Sequence, residues 1–229
     1  MKFQERIVNA LFRTLFRLFY RFDTSEFKKV PTEGPLMIIA NHTSTFDGPL
    51  MYVFLRPRKM IALAKKELWD TWFLRFIMNL WNSIPVDRDN MGRETMESCF
   101  QVLKREEMLA IAPEGTRSKD GSLQSGKPGV AFIAHKGGVP IVPIAITGFE
   151  KIKENLKRFK RTPLHIAVGE VFVIKQQGGR LDSATRQQLA DEIMLRLAAL
   201  VPPEYRGVYA NTPIEFHLTS DDRSIVSKD

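Results

Sequence analysis

The chain has 229 residues, of which 44% are hydrophobic and 26% are charged. This composition excludes a disordered chain, and the length suffices for one domain with a substantial core. A net charge of +8 favours an anionic partner surface, and the single cysteine, Cys99, excludes an intramolecular disulfide. Because no secretory hydrophobic segment is visible either, we expect a reducing cytosol, with Cys99 in the core.

Residues 1–28 are predicted to form an amphipathic membrane-interface helix. Its wide apolar face consists of Phe3, Ile7, Val8, Leu11, Phe12, Leu15, Phe16, Leu18, Phe19 and Phe22. The basic side consists of Lys2, Arg6, Arg13, Arg17 and Arg21. Arginine interrupts the segment too often for it to span a bilayer, which takes about 20 mostly apolar residues. The helix can lie in the interface with its arginines at anionic headgroups, or instead pack against the domain's own core.

The first polar motif follows the apolar run 36–40, which is predicted to be a buried strand. His42 and Asp47 come directly after it, and in open α/β sheets chemistry collects beyond the carboxyl ends of strands. A histidine held by a carboxylate can take a proton from a substrate hydroxyl, so the pair is a candidate for acid–base catalysis. Alternatively, Asp47 only caps the next helix, since Pro49 suits a first helical turn.

A second polar motif follows the apolar run 108–112. Gly115 frees backbone N–H groups, Thr116 offers a hydroxyl and Arg117 offers a two-pronged guanidinium, which together suit a phosphate monoester. Glu114, counted with this binding set, is expected to orient these groups because a carboxylate repels an anion. The alternative is an ordinary polar loop in which Glu114 pairs with Arg117.

The rest of the chain predicts an α/β fold with a largely parallel sheet flanked by helices and an antiparallel edge. The other predicted strands are 60–64, 84–86, 141–146, 164–168 and 171–174, and the other predicted helices are 68–81, 92–105, 128–135 and 183–200. The folded domain is placed at 29–205, and residues 206–229 are expected to form a polar, loosely held tail. The basic stretch 151–161 is either a solvated surface helix or a face for an anionic membrane or an acidic carrier protein.

Two other kinds of site are set aside. Residues 121–127 fit the start of a nucleotide-binding P-loop, but Pro128 stands where the magnesium-binding Ser or Thr belongs. Residues 126–129 are instead expected to form a turn that opens the next helix, close to Arg117. No metal is expected, because metal-ligand spacing with His42 is lacking for His135, His165 and His217.

Together, the two polar motifs resemble those of the glycerolipid acyltransferases typified by bacterial 1-acylglycerol-3-phosphate acyltransferase. His42 and Asp47 match the family's His-x4-Asp block, and residues 113–117 match its Pro-Glu-Gly-Thr-Arg block. The blocks occur in the family's order, and the resemblance spans roughly residues 30–175. Ala112 departs from the family, which commonly has an aromatic residue there, and this affects the local packing rather than the chemistry.

Weaker blocks extend the resemblance. Residues 65–68 resemble the lysine-containing stretch, residues 84–88 resemble the arginine-bearing block, and residues 139–143 resemble the proline-containing strand. The resemblance implies that Lys65 and Arg88 bind the substrate phosphate, together with the Arg117 loop. It also implies a glycerol-3-phosphate acyltransferase-like fold for the domain.

The resemblance implies an enzyme that moves a fatty acyl group from acyl carrier protein or acyl-CoA to the sn-2 hydroxyl of 1-acyl-sn-glycerol 3-phosphate, giving phosphatidic acid. His42 would deprotonate the hydroxyl while Asp47 holds the imidazole, with no covalent acyl-enzyme and no cofactor. Membrane lipids and the acyl donor are the expected partners, without nucleic acid or metal, at the cytoplasmic face of the cell membrane.

Two alternatives stay open. One is an acyltransferase with another acceptor: glycerol 3-phosphate, a lysophospholipid or an amino-acid lipid. The other is a non-enzymatic membrane-surface lipid-binding protein, which would not need the intact pair of His42 and Asp47.

Overall fold

The computed structural model describes residues 3–87, 91–175 and 181–222. Within them the helices are α1 (Phe3–Phe19), α2 (Asp47–Phe54), α3 (Trp72–Leu80), α4 (Arg93–Lys104), α5 (Pro128–Gly137), α6 (Ile152–Lys157) and α7 (Ser183–Ala198). The strands are β1 (Tyr20–Arg21), β2 (Leu36–Ala40), β3 (Met60–Lys65), β4 (Ile84–Val86), β5 (Met108–Ile111), β6 (Ile141–Thr147), β7 (Thr162–Pro163), β8 (His165–Val168), β9 (Phe172–Ile174) and β10 (Thr219–Asp221).

The main sheet has the strand order β10-β9-β6-β2-β5-β3-β4, and β8 also pairs with β6. Strands β2 to β6 run parallel in this sheet, whereas β8, β9 and β10 form antiparallel pairs at one side. The predicted α/β fold, with a largely parallel sheet and an antiparallel edge, is confirmed. Every residue of β2 is buried, as expected for a parallel strand covered by helices on both faces.

The two faces of the sheet build two core clusters. In β2, Met37 and Ile39 pack in the cluster that contains side chains of α5 and α7. Leu36, Ile38 and Ala40 point the other way, into the cluster that contains side chains of α1 and α2. This alternation fixes the register of β2, because a slip of one residue would exchange the two sets of side chains.

The predicted helix 68–81 is divided. Lys66–Trp69 form a 3₁₀ turn, and α3 begins only at Trp72 because Thr71 has an extended backbone conformation. The predicted strands 36–40 and 84–86 have the observed bounds.

Helix α1 packs on the domain with polar side chains inward. Tyr52 donates a hydrogen bond to Glu5 Oε1 over 2.9 Å, and Arg56 forms an ion pair with the same carboxylate. Trp81 Nε1 donates to Asn9 Oδ1 over 3.2 Å, and both Glu5 and Asn9 are buried. The seam between α1 and the domain therefore contains several buried polar contacts.

Arg13 departs from its predicted place among solvent-facing arginines. Its Nε and Nη2 donate over 3.0 and 2.6 Å to a carbonyl oxygen of the last turn of α2. Phe12 and Phe16 join the core cluster, so the packing alternative holds for one side of the helix. The other side stays exposed and consists of Phe3, Ile7, Leu11, Leu15, Leu18 and Phe19. Across residues 3–87, 91–175 and 181–222, no helix is long and apolar enough to cross a membrane.

The C-terminal residues close the edge of the sheet. Glu192 of α7 accepts hydrogen bonds from the backbone N–H groups of His217, Leu218 and Thr219 over 2.6 to 3.0 Å. Strand β10 pairs with β9, and Tyr209 is buried in the core. Residues 206–222 thus belong to the folded domain, in contrast to the loosely held tail that the sequence predicts. Residues 223–229 lie outside the described residues.

Candidate active site

His42 and Asp47 meet where β2 ends and α2 begins. The Asp47 carboxylate is 2% exposed, and its Oδ2 lies 2.9 Å from His42 Nδ1. The same oxygen accepts the backbone N–H groups of Thr43 and Ser44, each over 2.8 Å. These donors precede α2, and no side-chain hydrogen bond caps that helix, so the capping alternative for Asp47 does not apply.

This geometry fixes the imidazole as a base. Because Nδ1 faces a buried carboxylate, Nδ1 carries the proton in the neutral ring and Nε2 keeps the free lone pair. Asp47 also stabilises the imidazolium that forms when Nε2 takes a proton. The pair can therefore accept a proton from a hydroxyl and return it to a leaving group.

Glu114 ties the two loops together. Its side chain is buried, with Oε1 accepting the backbone N–H of His42 over 2.9 Å and Oε2 accepting that of Gln124 over 3.1 Å. Ser118 N–H in turn donates to the His42 carbonyl oxygen over 2.8 Å. Both Glu114 oxygens thus hold backbone groups, and the predicted alternative of a Glu114–Arg117 pair is not seen among the described contacts. Glu114 positions His42 and does not line the cavity described next.

A cavity of about 410 Å³ opens beside the pair and lies at the carboxyl ends of the parallel strands. Its polar lining consists of Asn41, His42, Asp47, Lys65, Asp87, Gly115 and Lys127. Its apolar lining includes Ala40, Met51, Ala62, Leu63 and Ala110, from the strand ends and from α2. A polar end next to an apolar wall suits a substrate with a charged head and a hydrocarbon chain.

The predicted binding residues divide into three groups. Lys65 and Gly115 line the cavity, whereas Thr116 and Arg117 are exposed next to Gly115 and lie outside the lining. Arg88 lies outside the described residues. Of the six predicted binding residues, Lys65 and Gly115 thus lie at the cavity, and their role in binding stays a prediction.

Lys127 lines the cavity but was not predicted as a binding residue. Gly115 has a φ of +69°, and a Cβ atom there would lie 3.2 Å from Lys127 Cγ, so the lysine crosses directly over this glycine. Its backbone N–H donates to the carbonyl oxygen of Pro113 over 2.8 Å. The signal in the sequence was the turn at 126–129, which was expected close to the Arg117 loop.

Asn41 is a second residue that sequence reasoning missed. Its side chain is buried and exchanges two hydrogen bonds with the backbone of Ile146 in β6, over 2.9 and 2.8 Å. This pairing extends the contact of β2 and β6 past Ala40 and fixes the start of the loop that carries His42. Only its position directly before His42 hinted at this role.

Other chemistry finds little support. Within residues 3–87, 91–175 and 181–222, no group of three or more His, Cys, Asp or Glu side chains is placed to hold a metal ion. Cys99 is buried as predicted, and burial raises the pKa of its thiol to about 12, so the nucleophilic thiolate is scarce at neutral pH.

A histidine–aspartate pair at the carboxyl edge of a parallel sheet is suited to acid–base chemistry on a substrate hydroxyl. The family model described as Acyltransferase matches residues 21–147, and the chain belongs to this family. The resemblance stated from the motifs is thereby confirmed.

Relatives agree with this assignment. A protein of Bacillus subtilis strain 168 named 1-acyl-sn-glycerol-3-phosphate acyltransferase is 31% identical over 72% of this chain and 84% of its own length. A probable 1-acyl-sn-glycerol-3-phosphate acyltransferase of Mycoplasma pneumoniae is 30% identical, over 58% of this chain and 52% of its own.

The fold also has a counterpart among solved structures. The crystal structure of the LPA acyltransferase PlsC from Thermotoga maritima matches with a TM-score of 0.61 and 23% identity. The match covers 82% of this chain and 76% of that one. This likeness supports the fold described above.

Glu114 generates a prediction about pH and stability. Burial raises its pKa from 4.5 to about 7, against the lowering effect of the two N–H donors, and the charge of Asp47 also raises it. The folded protein therefore retains a proton that the unfolded chain releases between about pH 4.5 and 7. Relative to Glu114→Gln, the wild-type protein should lose stability as the pH rises through this range, by at most about 1.4 kcal/mol per pH unit.

Urea unfolding at several pH values measures this difference. Glu170→Gln, at an exposed glutamate, is the matched control and should show no such trend. A stability difference between wild type and Glu114→Gln that is the same at every pH would contradict the prediction.

Proposed function

We propose that the protein is a 1-acyl-sn-glycerol-3-phosphate acyltransferase, which joins a fatty acyl group to the sn-2 hydroxyl and gives phosphatidic acid. The observation that carries the proposal is the oriented pair of His42 and Asp47 at a cavity with both polar and apolar lining. Membership of the family and the names of the relatives support this acceptor. A lipid-binding role without catalysis would leave the buried, oriented pair without a purpose.

The reaction needs one base and one activated acyl group. His42 Nε2 takes the proton of the sn-2 hydroxyl as its oxygen attacks the thioester carbonyl carbon. The resulting tetrahedral oxyanion collapses and breaks the C–S bond, and the imidazolium returns the proton to the departing thiolate. Asp47 holds the ring in one tautomer throughout. Since the thioester is already activated, the mechanism uses neither a covalent acyl-enzyme nor a cofactor.

The acceptor phosphate is assigned to the cationic side of the cavity. Lys65 and Lys127 line it, and Arg117 is exposed two residues after the lining residue Gly115. Lys65 Nζ lies 3.3 Å from Glu67 Oε1, but both side chains are nearly half exposed, so this ion pair is weak. A phosphate can therefore replace Glu67 as the partner of Lys65. Arg88, implied by the family resemblance, completes the proposed set.

The acyl donor is proposed to be acyl carrier protein or acyl-CoA. The basic stretch 151–161 offers one surface for an acidic carrier protein. The same motifs would serve glycerol 3-phosphate, a lysophospholipid or an amino-acid lipid as acceptor, so an assay should offer several acceptors with both donors.

Attachment to the cytoplasmic face of the cell membrane is proposed to occur through α1. Its exposed large apolar side chains extend from Phe3 to Phe19, beside the exposed polar residues Gln4, Arg6, Thr14 and Arg17. Glu5, Asn9 and Arg13 instead contact the domain. An interfacial helix of this kind buries its apolar face at the boundary of headgroups and acyl chains.

Removing the base should abolish most turnover. General base catalysis contributes about 10²- to 10⁴-fold, so His42→Ala should lower kcat by at least about that factor, and Asp47→Asn should also be severe. Steady-state assays with 1-acylglycerol 3-phosphate and a thioester donor measure this, with His165→Ala, at an exposed histidine, as the control. If His42→Ala kept more than about half of the wild-type kcat, the direct-attack mechanism would be refuted.

Arg117→Lys separates binding from chemistry. It keeps the positive charge and loses the two-pronged geometry, so KM for the phosphate-bearing acceptor should rise more than KM for the donor. Lys127→Gln should show the same asymmetry, and Lys119→Gln, at an exposed lysine of the same loop, should not. An equal rise of both KM values would place Arg117 at the donor or in a structural role.

Replacing Ile7, Leu11 and Leu18 with Ser should release the protein from liposomes in co-sedimentation. These side chains are exposed, so the fold should persist, and activity on a short-chain, water-soluble acceptor should be largely retained. High salt should weaken the wild-type attachment only in part, because it screens charges and not apolar burial. Undiminished binding of the variant would place the membrane-facing surface elsewhere, such as 151–161.

A further inference from the structure

Helix α3 carries an exposed aromatic face that catalysis does not explain. Trp72 is 79% exposed, Phe73 48% and Phe76 40%, and the three positions share one side of the helix. The adjoining side of the helix packs into the core through Ile77 and Met78. Large aromatic side chains gathered on one exposed helix face indicate a contact surface, in contrast to apolar residues scattered singly.

The exposed faces of α1 and α3 belong to neighbouring helices. Trp81, which directly follows α3, donates to Asn9 of α1, and its ring lies 5.2 Å from that of Phe12. Both helices thus meet at Trp81, and each leaves an apolar side uncovered by the described residues. Trp81 therefore ties the C-terminal end of α3 to α1, the helix by which the protein is proposed to bind the membrane.

The α3 face is also close in sequence to a residue that lines the cavity. Lys65, at the end of β3, lines the cavity, and the turn Lys66–Trp69 connects it to α3. A lipid acceptor leaves the bilayer at the headgroup level, so a contact here would hold the cavity entrance where the acceptor resides.

The charge of α3 suits a lipid surface. The helix contains one charged residue, Arg75, and no carboxylate, and Arg75 is exposed. Tryptophan and phenylalanine flanked by a cation are typical of the interface between acyl chains and anionic headgroups. A second copy of the chain is a poorer occupant, because a specific interface takes about 20 to 30 residues a side.

We propose that α3 is a second membrane-contacting helix, in which Trp72, Phe73 and Phe76 insert into the leaflet that α1 occupies, beside the entrance of the catalytic cavity. The proposal rests on the proposed function, since the acceptor is a membrane lipid. It adds an insertion site distinct from α1, and the fluorescence of Trp72 can report the insertion.

Tryptophan fluorescence tests the insertion directly. The chain has three tryptophans; Trp81 is buried and Trp69 is partly buried, which leaves Trp72 as the exposed one. With vesicles of phosphatidylcholine and phosphatidylglycerol that carry brominated acyl chains, wild-type fluorescence should be quenched, and Trp72→Phe should lose most of the quenching. Quenching that is absent from the wild type, or equal in Trp72→Phe, would overturn the proposal.

A measurement of vesicle binding tests the proposal independently. The combined change of Trp72, Phe73 and Phe76 to Ser should weaken partitioning onto the same vesicles by about tenfold or more, with an unchanged melting temperature. The matched control changes Val208, an exposed apolar residue outside α1, α3 and the stretch 151–161, to Ser and should bind like wild type. Unchanged binding of the α3 variant, or an equal loss in the control, would overturn the proposal.

Separate measurements distinguish the membrane contact from self-association and from catalysis. If sedimentation showed a wild-type dimer that the α3 variant dissolves, a second copy would cover this face and the proposal would fail. Quenching requires no turnover, so a protein that inserts Trp72 but acylates no phosphate-bearing acceptor would refute the proposed function and keep the membrane contact. Conversely, an active enzyme without quenching refutes only the α3 contact.

Discussion

The hydrogen bond from the His42 backbone N–H to the buried Glu114 carboxylate is the constraint on which the site depends. It joins a loop after β2 to a loop after β5, two segments far apart in sequence that the parallel pairing of their strands brings to one edge. The same carboxylate also accepts the backbone N–H of Gln124, so that one side chain holds both His42 and the loop after β5. Glu114 therefore holds backbone groups in place, and no step of the proposed reaction is assigned to it.

Much of this arrangement could be read from the sequence, for a physical reason. Parallel strands buried on both faces leave uninterrupted apolar runs, so 36–40 and 108–112 stood out as strands, and their polar ends had to meet at one edge. The pair of His42 and Asp47 is local, which allowed its contact to be anticipated from spacing. Family motifs added Lys65, which lies at the cavity.

What the sequence concealed depends on backbone geometry and on packing direction. The approach of Lys127 requires the positive φ of Gly115, which no residue pattern specifies. Residues 206–222 look like a polar tail because their attachment uses backbone N–H groups, which are the same in every sequence, as donors to Glu192. The apolar stripe of α1 was so wide that periodicity could not tell which part faced inward.

The polar contacts of α1 decide which side of the helix faces away from the domain. The ion pair of Glu5 with Arg56 and the hydrogen bonds of Arg13 to α2 lie on the domain side of the helix and are largely shielded from water. Rotating the helix would leave these buried polar groups without partners, which costs free energy. In the proposed attachment, the contacts that hold α1 on the domain therefore also determine which side of the helix meets the bilayer.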